Sequence, residues 1–255
     1  MLFDSHAHLD AKQFDADRDL VVARAKLNAV SYIFNPGADF GSSQAAIRLA
    51  EMYDFIYAGV GVHPHDAKTM DEEMLNNLAQ MAKHSKVKAI GEIGLDYHYD
   101  FSPRDIQRKW FTAQIRLAKQ MNLPMVIHDR EAHADVLECL IAEKAFDVGV
   151  LMHCFSGSVE LAKQYVKLGA TLSIAGPVTY KNARKTIEVV ENIPIEHLLI
   201  ETDAPYLTPE PFRGKRNESM YVKYTCDRVA QIKKMEWERV AEITLNNGKA
   251  FFKIE

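Results

Sequence analysis

Histidines and acidic residues stand at the ends of several short apolar runs in this chain. The first run ends with His6 and His8, and later runs end with His63, Glu92, His128, His153 and Asp203. Imidazole nitrogens and carboxylate oxygens are ligands of divalent metal ions. Two such ions polarise a phosphoryl oxygen, lower the pKa of a bound water and stabilise the leaving oxygen. The residue types therefore predict metal-dependent hydrolysis if the fold brings these ends together.

A first metal ion is predicted between residues from the two ends of the chain. His6 and His8 are two residues apart, so on a strand both imidazoles face the same side and can bind one ion. Asp203 ends the last strand-like run, and we expect it to bind this ion and to orient or deprotonate the attacking water. Asp4 has the same parity as the histidines and is a candidate support for a ligand.

A second ion is predicted at His128 and His153, which end consecutive strand-like runs. Glu92 comes before them and can bridge two ions through its two carboxylate oxygens. Glu92 and Asp203 are therefore the predicted catalytic residues. The two divalent ions are predicted to be Mg²⁺, Mn²⁺ or Zn²⁺. Histidine favours Zn²⁺, Mn²⁺ or Fe²⁺ whereas Mg²⁺ prefers oxygen ligands, so the metal identity stays open.

Substrate contacts are predicted beside these strand ends. His63 also ends an apolar run, but we expect it to hydrogen-bond substrate rather than to bind metal. Arg130 follows His128 by two residues, and Arg213 lies in the loop after Asp203. The planar guanidinium fork of arginine suits phosphate oxygens, so both arginines are candidate phosphate contacts.

The elements that must position these residues alternate along the chain. Strands are predicted at Leu2–His8, Ser31–Asn35, Phe55–Val62, Ala89–Leu95, Pro124–His128, Val148–Cys154, Thr171–Ala175 and Leu198–Thr202. Helices are predicted at Gln44–Met52, Glu72–Ala82, Arg104–Met121, Glu131–Ala142, Val159–Leu168, Asn182–Glu191, Tyr221–Lys233 and Trp237–Asn247. Asp71 is a predicted N-cap, and Ser102-Pro103 is a predicted cap and first-turn pair. Many of the predicted strands are continuous apolar runs, as in parallel strands covered on both faces.

Eight alternating strand–helix units predict an α/β protein with a (β/α)8 TIM barrel. The alternative is an open doubly wound sheet, which more often carries a glycine-rich phosphate loop after its first strand. Residues 5–12 contain no glycine, which favours the barrel. The chain has 255 residues, 47% of them apolar, and we expect a single domain over residues 1–255.

Composition excludes several classes of protein. The formal net charge is −4, and no run of Lys or Arg indicates a general nucleic-acid-binding surface. The cysteines Cys139, Cys154 and Cys226 lack CxxC spacing, which favours a reducing compartment over a disulfide framework. No secretory signal and no bilayer-spanning run is recognisable, so we expect a cytoplasmic protein that does not bind membranes. No stable protein partner is inferred.

The motifs together resemble the TatD family of metal-dependent deoxyribonucleases, within the amidohydrolase-like TIM-barrel hydrolases. The resemblance covers nearly the whole chain. It rests on FDSHAHLD (3–10), GVGVHPH (59–65), IGEIGLDYH (90–98), LPMVIHDREA (123–132), MHCFSGS (152–158) and LLIETDAPYLTPEPFRGKRNE (198–218). His98 stands where a tyrosine is more usual, and NESMYV follows Arg216 where NEP is more usual. Both departures concern substrate preference rather than the reaction.

The resemblance implies a (β/α)8 barrel and Mg²⁺- or Mn²⁺-dependent hydrolysis of DNA, often from the 3′ end of single strands. It also implies that the metal ligands are His6, His8, Glu92, His128, His153 and Asp203. The alternative enzyme is a metal-dependent ester or amide hydrolase such as a D-aminoacyl-tRNA deacylase, because the same activated water could attack a carbonyl. A catalytically dead barrel that serves as a binding scaffold would lack ligands, and the ligand set here is complete.

Overall fold

The structure is a computed structural model that describes residues 1–255. Its strands are β1 (Leu2–Asp4), β2 (Val30–Asn35), β3 (Ile56–Val60), β4 (Val87–Asp96), β5 (Met125–Arg130), β6 (Val150–Met152), β7 (Thr171–Ile174) and β8 (Leu198–Ile200). Its α-helices are α1 (Arg18–Leu27), α2 (Phe40–Met52), α3 (Glu72–Met81), α4 (Arg104–Met121), α5 (His133–Ala142), α6 (Val159–Lys167), α7 (Arg184–Asn192), α8 (Val222–Lys233) and α9 (Trp237–Phe251). The strands form one eight-stranded sheet in chain order, which confirms the predicted (β/α)8 fold.

Several strands end earlier than the apolar runs predict. β1 ends at Asp4, and β8 ends at Ile200. The residues that follow stay extended but leave the regular ladder: Ser5 N–H still donates to Ile200 O at 3.1 Å, and Ala7 and Ala204 form an isolated parallel bridge. An apolar run in the sequence indicates a buried extended segment. It does not show where the hydrogen bonds between neighbouring strands end, so the predicted strands are too long.

The sequence prediction missed helix α1. Its buried residues are Val21, Val22 and Ala25, whereas Leu20 and Leu27 are exposed. The apolar residues of this helix therefore do not follow a simple helical stripe. The predicted cap at Ser102 was also wrong, because Pro103 occupies the N-cap position and the Ser102 hydroxyl donates to His65 O instead. The Asp71 cap of α3 is confirmed by a 2.7 Å hydrogen bond from Met74 N–H.

The chain contacts group residues 1–35 and 154–255 into one compact unit. In this first unit β1 pairs with β2 and β7 pairs with β8, all in parallel. Helix α9 covers β1 closely: a Cβ atom on Gly248 would lie 2.5 Å from Cδ1 of Phe3. Phe252, just after α9, stacks on Phe34 at a ring separation of 4.3 Å. The ring of Phe3 in β1 also lies 5.6 Å from that of Phe252, so the strand that leads to His6 is packed against the end of α9.

Residues 36–153 form the second compact unit. Here β3, β4, β5 and β6 are successive parallel neighbours. Two buried glutamines of α4 hold the strand ends: Gln114 exchanges hydrogen bonds with both backbone groups of Val62, and Gln107 does the same for Asp96. A helix thereby anchors the ends of β3 and β4, where His63 and Asp96 stand.

The prediction of a single domain over residues 1–255 stays a prediction. None of the helices combines the length and the apolar composition needed to cross a bilayer.

Candidate metal centre

In the first unit His6, His8 and Asp203 form a compact cluster. The two Nε2 atoms are 3.2 Å apart, and Asp203 Oδ1 lies 3.7 Å from Nε2 of His6 and 3.6 Å from that of His8. His6 is buried, whereas His8 and Asp203 are each 15% exposed through their side chains. The structure thus brings together the three residues that were predicted for the first ion, and solvent reaches two of them.

Backbone contacts hold this cluster in place. Asp203 N–H donates to His6 O at 2.9 Å, and His8 N–H donates to Ala204 O at 2.8 Å. Asp203 itself adopts a left-handed conformation with φ of 56°, a region that aspartate tolerates better than most residues. The segments that carry the histidines and the aspartate are therefore fixed to each other by main-chain hydrogen bonds.

Asp4 supports the aspartate side of this cluster rather than a histidine. Its buried carboxylate accepts hydrogen bonds from Thr202 N–H at 2.9 Å and from Thr202 Oγ1 at 2.7 Å. Burial raises the pKa of Asp4 to about 7, although the Thr202 hydrogen bonds act in the opposite direction. Asp4 thus anchors the residue that precedes Asp203, which agrees with its predicted supporting role.

In the second unit three histidines surround the carboxylate of Glu92. Its Oε1 atom lies 2.8 Å from His153 Nε2, 2.9 Å from His128 Nδ1 and 3.6 Å from His63 Nε2. Glu92 is only 3% exposed, so these rings largely shield it from water. The structure brings Glu92, His128 and His153 together as predicted. It also places His63 among the possible ligands, so the assignment of His63 to substrate alone stays a prediction.

Asp96 is a buried carboxylate that links this cluster to a further histidine. Its Oδ2 atom lies 3.0 Å from His128 Nε2 and 2.9 Å from His65 Nε2. The His128 ring therefore stands between two carboxylates, with Glu92 at Nδ1 and Asp96 at Nε2. A carboxylate on one ring nitrogen fixes the tautomer and orientation of a metal-binding histidine, so that the other nitrogen faces the ion. This arrangement leaves Nδ1 of His128 on the Glu92 side.

The charges of the second cluster are set by burial and by these contacts. Burial and repulsion from His128 hold the pKa of His63 well below its ordinary value. Burial alone would lower the pKa of His128, but hydrogen bonds to Asp96 and Glu92 outweigh it and the net pKa shift is upward. For Asp96, hydrogen bonds from His128, Tyr99 N–H and His65 outweigh burial and hold its pKa below the usual range. His63 is therefore neutral and able to donate a lone pair.

Both clusters fit a divalent ion by their donor atoms and spacing. Two ligands that lie about 2.1 Å from a tetrahedral ion are about 3.4 Å apart, and in an octahedral ion about 3.0 Å apart. The separations of 3.2–3.7 Å in the first cluster and 2.8–3.6 Å around Glu92 lie close to these values. Within His6, His8 and Asp203, and within His63, Glu92 and His128, all ligand atoms lie within 4.8 Å of one another.

The two predicted phosphate contacts are exposed arginines that form no ion pair. The Arg130 guanidinium lies over the ring of Tyr99, 4.7 Å from its centroid. Arg213 lies over the ring of Tyr180 at 4.2 Å, and Tyr180 in turn donates to Thr208 O. By contrast, Arg216 is engaged by Asp17 and Glu218. Arg130 and Arg213 are thus available to a phosphate, and their role as substrate contacts stays a prediction.

The sequence prediction missed three acidic or imidazole groups near the clusters. Asp96 has the same strand parity as Glu92, four residues earlier, and this spacing could have identified it. His65 had no assigned role, and its contact with Asp96 depends on a short 3-10 helix, Pro64–Thr69, that the apolar pattern does not define. Glu201 is buried and accepts a hydrogen bond from Ser173 Oγ in the first unit. It precedes Asp203 by two residues, a spacing that places both acids in one strand-end motif.

A family model and two curated relatives match nearly the whole chain. A family model described as "TatD related DNase" matches residues 3–253. The "Uncharacterized metal-dependent hydrolase YabD" of Bacillus subtilis is 52% identical over 254 residues, which span all of both chains. The "3'-5' ssDNA/RNA exonuclease TatD" of Cronobacter sakazakii is 36% identical over 237 residues, covering 90% of this chain and 89% of that protein.

A solved structure has the same fold throughout. The crystal structure of YjjV, a TatD homologue from Escherichia coli K12, is 30% identical and has a TM-score of 0.94, with 100% of this chain and 98% of that chain covered. The family match, the relatives and the histidine–carboxylate clusters agree with each other. This chain belongs to the TatD family and is a metal-dependent hydrolase.

Proposed function

We propose that this protein hydrolyses phosphodiester bonds of DNA with two divalent ions, one at each cluster, and that it acts from the 3′ end of single strands. The observation that carries the proposal is the pair of histidine–carboxylate clusters with ligand-like spacing, His6/His8/Asp203 and His63/Glu92/His128. The name of the Cronobacter relative, a 3'-5' ssDNA/RNA exonuclease, supports the choice of substrate.

Each cluster has a distinct task in this proposal. Divalent ions held by these residues would polarise the scissile phosphoryl group and make a bound water molecule more acidic. Asp203, at 15% side-chain exposure, is open enough to orient the attacking water and to accept its proton. Glu92 is nearly buried among three histidines, so it keeps these rings in one arrangement and is poised to bind metal.

Substrate phosphates are expected to contact the exposed arginines. Arg130 and Arg213 each rest on an aromatic ring, which limits the conformations of a long side chain before substrate binds. A guanidinium that is already positioned loses less entropy when it binds a phosphate. Because the formal net charge is −4, attraction of DNA must come from such local groups.

A metal-by-substrate screen tests the proposal. Protein stripped with chelator would be reloaded with Mg²⁺, Mn²⁺ or Zn²⁺ and given 5′-labelled single-stranded DNA, duplex DNA, single-stranded RNA and a D-aminoacyl-tRNA. We expect a metal-dependent ladder of progressively shorter 5′-labelled DNA. Hydrolysis of the aminoacyl ester without cleavage of any oligonucleotide would contradict the proposal and favour the deacylase alternative.

A further inference from the structure

Two large aromatic side chains are exposed on the loop after β4. Tyr99 and Phe101 have 47% and 55% of their surface accessible. Their rings stack on each other with centroids 5.1 Å apart and an interplanar angle of 15°. Exposed apolar surface of this kind usually marks a binding site, because isolated aromatic rings are more stable when buried.

The loop that carries this pair is held by hydrogen bonds. The Oδ1 atom of Asp96 accepts from the N–H groups of His98 and Tyr99 at 3.0 and 2.9 Å. Lys68 Nζ donates to Phe101 O at 3.0 Å, and the buried Ser102 hydroxyl donates to His65 O at 2.8 Å. The two rings are therefore presented on a fixed backbone, and their exposure does not come from a loose segment.

A series of ring contacts connects the pair to the second metal cluster. The ring of His65 lies 4.8 Å from Phe101 and 5.4 Å from Tyr99. The same ring lies 4.3 Å from the ring of His63. Asp96 joins the same parts, because its Oδ2 atom contacts His65 and His128 while its Oδ1 atom holds the loop. The ring of His65 thus lies between the exposed aromatic pair and the candidate ligand His63.

A positive charge lies on the same surface. The guanidinium of Arg130 is 4.7 Å from the Tyr99 ring centroid and forms no ion pair. Aromatic faces combined with a nearby cation are the features by which proteins bind single-stranded nucleic acids, with a base on the ring and a phosphate on the charge. A base inside a duplex has both faces covered by its neighbours, so this surface favours an unstacked base.

We propose that Tyr99, Phe101 and Arg130 form an aromatic shelf in which the Phe101 ring, the one with no cation over it, stacks an unpaired nucleobase of the substrate while Arg130, over Tyr99, contacts an adjacent phosphate. The proposal rests on the proposed function and deepens it, because it gives a structural reason for a single-stranded substrate. The shelf contacts the π-face of the base. Because every base has such a face, binding should depend little on base identity.

The test compares binding of two oligonucleotides by fluorescence anisotropy. One is an ordinary single-stranded DNA, and the other has the same backbone with tetrahydrofuran abasic residues in place of nucleosides. The variant Tyr99→Leu/Phe101→Leu keeps apolar side chains but removes both π-faces. Ile141→Ala serves as the matched control, because Ile141 is 48% exposed in the same unit and lies on α5.

We expect the double variant to bind ordinary single-stranded DNA roughly tenfold more weakly than the wild type. Its affinity for the abasic strand should be unchanged, and Ile141→Ala should match the wild type on both strands. The rescue variant Tyr99→Phe should retain most of the affinity. Equal losses on the two strands, or no loss on either, would overturn the shelf.

Hydrolysis of the same abasic strand distinguishes failure of the shelf from failure of the proposed function. Metal-dependent cleavage of this strand at equal rates by the wild type and the double variant supports the phosphodiesterase without involving any base. If neither strand is cleaved with any metal but base-dependent binding persists, the proposed function is contradicted and the shelf stands. Wild-type binding that does not distinguish the two strands overturns the shelf even when cleavage is normal.

Discussion

At the scale of single residues, the candidate metal ligands could be identified from the sequence because each one ends an apolar run. His6, His8 and Asp203 meet as expected, although they come from opposite ends of the chain. The role of Asp96 could not be deduced with the same ease, since a lone acidic residue after a strand is also a common cap or turn residue. Only the structure shows that its two oxygens serve His128 and the loop at once.

Asp96→Asn tests the positioning of His128. An amide oxygen accepts a weaker hydrogen bond from the N–H group at His128 Nε2 than a carboxylate does, so the ring loses its fixed tautomer. We expect metal affinity to fall by about 10–100-fold, measured by calorimetric titration of metal-free protein. Asp135→Asn is the control, because Asp135 bonds Tyr97 and Arg108 and touches no candidate ligand. Unchanged affinity in Asp96→Asn would refute this role.

At the scale of elements, hydrophobic runs and caps predicted most strands and helices, including α4 to the residue. Helix α1 was not predicted because its buried and exposed apolar residues are mixed. The Ser102 hydroxyl donates to the carbonyl of His65 instead of capping α4. Side chains that serve tertiary contacts cannot be recognised from local spacing alone. The strand ends that carry the candidate ligands depend on such contacts, as the hydrogen bonds of Gln107 to Asp96 and of Gln114 to Val62 illustrate.

The close approach of β4 and β5 gives a prediction at this scale. Gly94 has φ of 149°, and a Cβ there would lie 1.9 Å from His128 O. Gly94→Ala should therefore destabilise the protein by roughly 2–5 kcal/mol, from backbone strain and overpacking together. Chemical denaturation would measure this change.

Gly169→Ala is the matched control for that substitution. Gly169 also has a positive φ, 94°, but no atom lies within 4 Å of an added Cβ. Gly169→Ala should therefore lower the free energy of unfolding by the cost of backbone strain alone, about 1–2 kcal/mol. Equal losses of unfolding free energy in the two variants would show that the contact between a Cβ at position 94 and His128 O in β5 costs no stability.

At the scale of the whole molecule, ion pairs attach the long loop after β8 to helix α1. Arg216 bonds both carboxylate oxygens of Asp17, at 2.7 Å each, and Arg24 contacts Asp17 and Glu218. The hydrogen bond from Arg216 lowers the pKa of Asp17 to about 2. The loop that carries Arg213 is thereby held by charges that depend on pH.

Protonation of Asp17 at low pH should lower the stability of the folded protein. The folded Asp17 binds its proton more weakly than the unfolded residue, whose pKa is about 3.9. Between these values the unfolded chain takes up more protons, so the contribution present above pH 4 is lost as pH falls towards 2. At pH 7 the melting temperature of the wild type should be higher than that of Asp17→Asn. This difference in melting temperature should become smaller below pH 4. A difference that stays constant with pH would contradict this assignment.

The net charge of −4 predicts a weak salt dependence of DNA binding. Two arginine–phosphate contacts give a slope of roughly −1.4 in a plot of log affinity against log salt. Affinity for single-stranded DNA should then fall about sevenfold between 50 and 200 mM salt. Arg130→Gln should reduce the slope by about 0.7. A slope steeper than about −3 would indicate a broad basic surface that the charge distribution does not predict.

We propose that Glu92, surrounded by three histidines, is required for metal-dependent hydrolysis of phosphodiester bonds by this chain. The most direct measurement is the rate of 3′-terminal hydrolysis of single-stranded DNA by Glu92→Gln, at metal concentrations that saturate the wild type. Glutamine keeps the size of the side chain but removes the negative charge that we propose binds metal beside His128 and His153. We predict a rate lower by at least about 100-fold with an unchanged melting temperature of the metal-free protein. A folded Glu92→Gln variant that hydrolyses DNA at the wild-type rate would contradict the proposed role of Glu92.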